Sequence, residues 1–574
     1  MYWLCTVPLV FSSLAAQDAS ATFPKRVLAF YYPWYGTPEV SGQSIHWGKV
    51  SPETQDIAAS THYPVGGVYD SQDPAAIDRH MRQMAEAGID GVIVSWWGRN
   101  SFSDRAMPKI LDGAAKHGRD VTVYYETIRG KEKDASKAAG ELVYLIKQYS
   151  GHRAWLRVGG RPVIFLYGRV LNELRPWEQW QTVRQLVKKE TRIDPFFVGD
   201  SISPEAARVF DGIHTYNPAG RFRDKGPDEI RRLNHALAAL TGSIADEQHR
   251  LACFTIIPGY DDTKIRTPGL AVPRFDGKTY QYGWEATIGR RLDWVLITSW
   301  NEWHEGSELE PSVENGDREL KMTRPWVDRF KSPAARPTPL EPPPQWKPFV
   351  AKWSGGTIGL LGDARSVALD VAVTGLPYRF ISLRGFCTGR VTARHCPVII
   401  YTGGEAVRTQ FGDGKTLPLA LRQFARDGGV IVFASWQPWA MHRDLDSEKT
   451  AWSRTVGLPL VIGFEAPPAP GMVFRFSGHF ADIGQGALPT AGDLRYRPCQ
   501  PPADGQADFK PLATLFDADG KSYGPGLAAI RYTKGPFAPA RMIYAWMRMW
   551  DVTDRQRLLQ RVLDLAADMK RPSP

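Results

Sequence analysis

The fourteen residues TSWNEWHEGSELEP, from Thr298 to Pro311, bring four glutamates, a histidine and two tryptophans together directly after the apolar run WVLI. Glu302 and Glu305 stand three apart on a segment that reads as a loop leaving a strand, so both can face one pocket. Such a pair suits hydrolysis of a glycosidic bond, in which one carboxyl protonates the leaving oxygen and the second acts on the other side of the reacting carbon. Glu126, at the end of the run VTVYYET, is a third candidate for the same pocket. Glu308, Glu310 and Glu314 fall further along and are expected to be solvated.

The elements that must position these groups follow from hydrophobic patterning. Apolar, β-branched or aromatic runs occur at RVLAFYYPWYG, GVIVSWWG, VTVYYET, PVIFLYG, PFFVGDS, GIHTYNP, ACFTIIPGY and WVLITSWNEW. Most are separated by helix-period segments such as DPAAIDRHMRQMAEAGI, AMPKILDGAAKHG, WEQWQTVRQLVKKET and YGWEATIGRRLDW. Eight strands alternating with helices over residues 24–330 predict a (β/α)8 barrel. A doubly wound sheet would carry a glycine-rich phosphate turn after its first strand, and FYYPWYG is nothing like one. In a barrel, chemistry sits where strands give way to the following loops, and six of these ends are aromatic: YYPWYG with IHW beyond it, SWWG, YYET, TYNP, PGYDD and SWNEWHEG. Indole and phenol rings offer faces for the C–H groups of a sugar ring, while carboxylates and amides take its hydroxyls.

Composition limits the alternatives. A chain of 574 residues that is 43% hydrophobic is too long for one core, so at least two domains are expected. The net charge of +10 is scattered along the chain, which argues against nucleic acid as a partner. No segment has the apolar length of a membrane span. The opening MYWLCTVPLVFSSLAAQDAS reads as a secretory signal over residues 1–16, and hence a secreted or periplasmic protein. Without Cys5, the thiols Cys253, Cys387, Cys396 and Cys499 allow disulfides, Cys387 and Cys396 being near enough to bridge a loop, or serve as small buried hydrophobes. Residues 331–350 hold seven prolines and read as an extended linker.

Together, FYYPWYGTPEVSGQSIHW, THYPVGGVYDSQDPAAIDRHMRQMAEAGIDGVIVSWWG, GYDDTKIR and TSWNEWHEGSELEP resemble glycoside hydrolase family 99, the endo-α-mannosidases and endo-α-mannanases, across residues 25 to 330. The resemblance implies a (β/α)8 barrel that cleaves within α-mannoside chains with retention, through a 1,2-anhydro sugar, needing neither metal nor cofactor. It implies Glu302 as base, Glu305 as acid/base and Glu126 as a pocket glutamate. Tyr32, His46, Trp47, Trp96, Tyr216 and Tyr260 fall in blocks that line the family's sugar site. The segments TYNPAGRFRDKGPDE and GRNSFSD depart from its pattern, which leaves the neighbouring sugars open.

Residues 351–574 read as a second α/β domain with a parallel sheet, from TIGLLG, RFISLRG, CPVIIYTGG, the helix TLPLALRQFARDG and GVIVFASW. It resembles a glutamine amidotransferase-like accessory domain, but FASWQPW has no cysteine where the thiolate nucleophile of such an enzyme would stand. The last helix, DRQRLLQRVLDLAADMK, is expected to pack on this sheet. The partner implied is an oligosaccharide or polysaccharide. Two other readings stand beside the α-mannosidase: a hydrolase of another α-glycan, and a catalytically silent glycan-binding protein.

Overall fold

The computed structural model describes residues 23–362, 367–403, 406–407, 416–434, 443–444, 455–460, 471–488, 495–502, 505–551 and 554–570. The leader and Cys5 lie outside these residues, as does most of FASWQPW.

The barrel strands are β1 (Arg26–Tyr31), β2 (Gly91–Trp96), β3 (Asp120–Tyr125), β4 (Arg161–Leu166), β5 (Phe196–Asp200), β6 (Gly212–His214), β7 (Leu251–Ile256) and β8 (Trp294–Ile297). Each pairs in parallel with its neighbours, from β3 through β2, β1, β8, β7, β6 and β5 to β4. The ring closes where Tyr124 and Tyr125 of β3 meet Phe165 and Leu166 of β4. All eight strands therefore lie where the patterning put them. The helices between them include α1 (Pro74–Glu86), α2 (Phe102–Lys116), α3 (Ala135–Tyr149), α4 (Gln179–Thr191), α5 (Pro204–Val209), α6 (Pro227–Glu247), α7 (Lys278–Thr287) and α8 (Arg318–Lys331). Four start at a side chain that takes one of their free N–H groups: Asp73, Ser101, Asp134 and Ser203.

Alternation along the strands sorts the core into two shells. Leu28, Phe30, Ile93, Tyr124, Phe165, Val198, Trp294 and Leu296 fill the barrel, whereas Val27, Ala29, Val92, Val94, Val123, Ile164 and Val295 face the helices. The inward series continues to the strand ends and beyond, so Tyr32, Ser95, Trp97, Glu126, Tyr167, Asp200 and Tyr216 share the parity of the interior and surround the mouth.

In the second domain the sheet is mixed, which corrects the parallel sheet expected for an amidotransferase-like unit. Strands β9 (Ile358–Leu361), β10 (Tyr378–Ile381), β11 (Val398–Tyr401) and β12 (Val430–Phe433) are parallel and continue into β17 (Arg541–Ala545). Antiparallel strands β13 (Val473–Phe476), β14 (Gln485–Ala487), β15 (Ala507–Phe516) and β16 (Ser522–Tyr532) complete it. The terminal helix Arg555–Lys570 buries Leu558, Leu559, Val562 and Leu563 against this sheet, as its apolar face predicts. The proline-rich stretch ends in a short helix, Lys347–Lys352, anchored by Trp346 packed edge-on against Phe349. The Glu247 carboxylate at the end of α6 accepts the Arg384 backbone N–H at 2.9 Å and so joins the two domains. Cys253, Cys387, Cys396 and Cys499 are buried free thiols, so Cys387 and Cys396 form no bridge.

At the closed end of the barrel, Asp211 ties three strands together. It binds Arg161 at 2.9 Å and Arg184 at 2.5 Å, and accepts the Phe197 N–H at 2.9 Å. Burial alone would raise its pKa, but the two guanidinium groups outweigh burial and hold it below the usual carboxylate value. A depressed folded-state pKa adds stability above the unfolded-state pKa, and that stability is lost as pH falls through the folded value. Asp211→Asn is therefore expected to cost roughly 2 kcal/mol near neutrality. Its melting-temperature deficit should shrink below about pH 4. Melting curves at pH 7 and pH 3 check this, and an equal deficit at both would show that the charge on Asp211 is not what holds the strands.

Candidate active site

The loop after β8 is pinned before it reaches the mouth. Asn301, fully buried, accepts the Tyr32 N–H at 2.8 Å and donates to the Tyr32 carbonyl at 3.1 Å and the Tyr69 hydroxyl at 3.0 Å. The Tyr35 hydroxyl donates to the Asn301 carbonyl at 3.1 Å and accepts the Trp303 N–H at 3.2 Å. These bonds tie β8 to β1 and fix the backbone on either side of Glu302.

Glu302 and Glu305 then stand close enough for the charge of one to act on the other, and both act on Tyr32 and Tyr216. Glu302 is 3% exposed. Burial and, next, the charge of Glu305 push its pKa well above the carboxylate range, against a bond from the His304 backbone N–H. Glu305 lies nearer the rim. It accepts from Arg266 Nη2 at 3.0 Å and from the Tyr216 hydroxyl at 3.4 Å. Burial raises its pKa too, while Arg266 opposes the rise. Two carboxyls placed so cannot easily both ionise, because the charge of Glu305 adds to the burial that already disfavours ionised Glu302.

Tyrosines complete the wall. The Tyr32 hydroxyl donates to that of Tyr216 at 2.6 Å, and Arg266 donates to Tyr260 at 2.8 Å. Glu126 is 4% exposed and accepts from Ser95 Oγ at 2.7 Å; Ser95 in turn takes the Trp97 indole N–H at 2.9 Å. Burial lifts Glu126 to about 8, with Ser95 and Arg169 pulling the other way. It is therefore neutral at pH 7. Asp200 orders the opposite side, accepting from Tyr124, Gly168 and Tyr216 at 3.0, 3.0 and 2.9 Å. His304 is held down at about 4 by burial and by His46, so its ring is uncharged at pH 7.

The structure brings Glu302, Glu305, Glu126, Tyr32, Tyr216 and Tyr260 together. His46 sits exposed at the edge, stacked on Trp34 with centroids 4.7 Å apart. Two expected lining residues stand elsewhere. Trp96 points outward, fully buried between barrel and helices, with its N–H on Asp104 at 2.8 Å. It is the next residue, Trp97, that has inward parity. Trp47 is 1% exposed and packs behind the wall on Tyr35, with its N–H on the Tyr69 carbonyl. Solvation of Glu308 and Glu310 is also corrected. Glu308 is 1% exposed and pairs with Arg274 at 2.5 Å and His62 at 2.8 Å; Glu310 takes the Tyr69 hydroxyl at 2.7 Å and His80 at 2.9 Å. Glu314 is exposed, as expected. Sequence reasoning missed Ser95, Trp97, Asp200, Arg266 and Asn301. The first three were within reach of strand parity, whereas Arg266 and Asn301 carried no signal beyond lying in GYDDTKIR and NEWHEG.

The family model for glycosyl hydrolase family 99 matches residues 22–323. The chain is similar to the glycoprotein endo-alpha-1,2-mannosidase of Mus musculus, 28% identical over 352 residues, covering 53% of this chain and 74% of the mouse protein. It is similar also to the glycoprotein endo-alpha-1,2-mannosidase-like protein of Danio rerio, 26% identical, with 52% and 77% covered. Among solved structures it resembles the GH99 endo-alpha-mannosidase of Bacteroides thetaiotaomicron, 27% identical with TM-score 0.45, covering 54% of this chain and 98% of that one.

The neutral state of Glu126 is open to direct measurement. Infrared difference spectra between the protein and Glu126→Gln should show a protonated carboxyl at pH 6 that ionises near pH 8. Ser95→Ala removes the bond that favours the ion and should move the titration upward. A carboxylate band from Glu126 already present at pH 6 would contradict the burial argument.

Proposed function

The chain belongs to glycosyl hydrolase family 99, and from that premise we propose that it cleaves α-mannosidic linkages inside a glycan chain, with retention and through a 1,2-anhydro sugar. It is a glycoside hydrolase. The observation that carries the proposal is the buried pair itself, Glu302 and Glu305 side by side at the barrel mouth: Glu305 has Arg266 and Tyr216 as donors, and among the described residues the Glu302 side chain has no ion pair shorter than the 3.9 Å to uncharged His304.

In an α-mannoside the leaving oxygen on C1 and the hydroxyl on C2 are axial and on opposite faces, so O2 is aligned to displace the leaving group. Glu302 takes the O2 proton as O2 attacks C1. The C1–O bond to the departing chain breaks, and Glu305 gives that oxygen its proton. Water then attacks C1 of the anhydro sugar, losing a proton to Glu305 while Glu302 returns one to O2. Two inversions give net retention. Arg266 and Tyr216 suit this role for Glu305, because they hold its carboxylate form in the interval between the two steps. Neutral Glu126 offers a hydrogen-bond donor that an ionised carboxylate would lack. The second domain is read as an accessory unit without amidotransferase chemistry, supported by the absence of cysteine from FASWQPW.

Screening the full chain against α-mannans, trimmed N-glycans and other α-glycans, with products sized, tests the substrate class. Release of internal fragments from α-mannosides alone is expected, and turnover only of another α-glycan would move the assignment. Glu302→Gln and Glu305→Gln should each lower kcat by about 10²–10⁴-fold with substrate binding retained. A 2-deoxy-2-fluoro mannoside with a good leaving group has no O2 to use, so it should give neither turnover nor adduct. A mass increase localised to Glu302 would instead make Glu302 a conventional nucleophile.

A further inference from the structure

A base must be ionised before it can take a proton, and the surroundings of Glu302 give its charge little support. Facing it are Glu305 from its own loop, Glu126 after β3, Arg266 after β7, Tyr32 and Tyr35 after β1, and Tyr216 after β6. The two glutamates disfavour its charge, and Arg266 favours it only from a distance, being bonded to Asp262, Tyr260 and Glu305. The three phenols give their protons elsewhere: Tyr32 to Tyr216 at 2.6 Å, Tyr216 to Glu305 at 3.4 Å, and Tyr35 to the Asn301 carbonyl at 3.1 Å. Among the described residues that leaves His304. Its Nδ1 stands 3.9 Å from Glu302 Oε1, with both side chains largely buried.

The imidazole is uncharged near neutrality, so it carries a single N–H. Its Nε2 has no partner, whereas the ring bonds the His46 backbone carbonyl, which puts the proton on Nδ1, the nitrogen that approaches Glu302. His46 is held there under constraint. Its φ of +60° lies in the left-handed region, uncommon for a residue with a Cβ. Ile45 before it pairs with Gly36 through two bonds of 3.0 Å, and its own ring stacks on Trp34. The rings of His46 and Tyr35 pack 5.9 and 5.8 Å from that of His304. His46 is exposed, so water can take its carbonyl when the imidazole leaves it. We propose that His304 is a positioning residue for Glu302: when that carboxyl ionises, the Nδ1 N–H turns from the His46 carbonyl onto Oε1 and holds the anion ready for the O2 proton. His304 stays neutral throughout and acts only through Glu302. The proposal rests on the α-mannosidase reading, in which Glu302 is the base.

Infrared difference spectra of the full chain, with and without Glu302→Gln, follow the Glu302 carboxyl in the absence of substrate. His304→Leu, or His304→Met should the first not fold, removes the donor and should move the Glu302 ionisation upward by about one pH unit, the usual worth of a hydrogen bond to a charged group. His304→Asn places an amide N–H near the position of Nδ1 and should reverse most of that shift. The second readout is kcat/KM on α-mannan against pH. Only the ionised form of Glu302 reacts, so His304→Leu should fall about tenfold below the unaltered chain at pH values under the Glu302 ionisation and converge with it above. A purely structural role would cost the same at every pH. An unmoved Glu302 ionisation overturns the inference, as does a loss of kcat/KM that is flat in pH or an Asn variant no better than Leu. If the unaltered chain turns over no α-mannoside at any pH, the α-mannosidase reading falls instead, and the infrared titration decides the link between His304 and Glu302 by itself.

Discussion

Removing a carboxyl group from water is the demand that orders the mouth of this barrel, because an uncompensated buried charge costs several kcal/mol. Glu126, Glu302 and Glu305 all sit there, and each meets the demand differently. Glu126 stays protonated. Glu305 reaches toward the rim, where Arg266 and the Tyr216 hydroxyl offset its charge. Glu302 has little besides the His304 backbone N–H. Its ionised form is thus the least supported of the three in the empty pocket, and a substrate hydroxyl against it supplies what is missing. Rigidity is what keeps the arrangement from relaxing: Asn301 holds both backbone groups of Tyr32, so the loop cannot swing Glu302 out to solvent without breaking buried bonds between β8 and β1.

Strand alternation decides which residues join that group. Each barrel strand was legible because buried parallel strands are nearly continuous apolar runs bounded by turn residues. That same continuity hides parity. In GVIVSWWG the apolar residues are compatible with either face, so the two tryptophans do not themselves say which of them enters the barrel. The structure answers through register: Ile93 faces inward, hence Ser95 and Trp97 do, and Trp96 joins the helix layer beside Tyr125 and Tyr144. A polar residue two positions from an inward apolar one, as Ser95 is from Ile93, was the usable sign.

The second domain was less legible for a different reason. Its parallel strands are short apolar runs of the expected kind, but β15 and β16 read ADFKPLATLF and SYGPGLAAIRY, with proline and glycine inside them. Such residues argue against a strand unless the ladder is broken nearby. Here it is broken: the pairing of β15 with β16 slips between Pro511 and Ala513 and again toward Phe516. A proline that lacks an N–H is tolerated there because the irregular register asks less of it. Composition alone could not reveal that, since it depends on how two distant segments align.

The stretch after β8 shows the same limit at a finer scale. Glu302, Glu305, Glu308 and Glu310 are one residue type within nine positions, and neither spacing nor hydropathy separates those facing the cavity from those bracing the loop. What separates them lies far away in sequence. Arg274 reaches Glu308 from the segment before α7, and His80 and Tyr69 reach Glu310 from α1 and the loop before it. A buried carboxylate met by a cation and hydroxyls from other elements is held in place, and its bonds brace the loop. Among the described residues Glu302 has no such partner from another element, yet the loop's fixed backbone buries it. Its burial is therefore a consequence of the bonds made by Asn301, Glu308 and Glu310, and the bracing carboxylates are as much a part of the site's construction as the two that face the pocket.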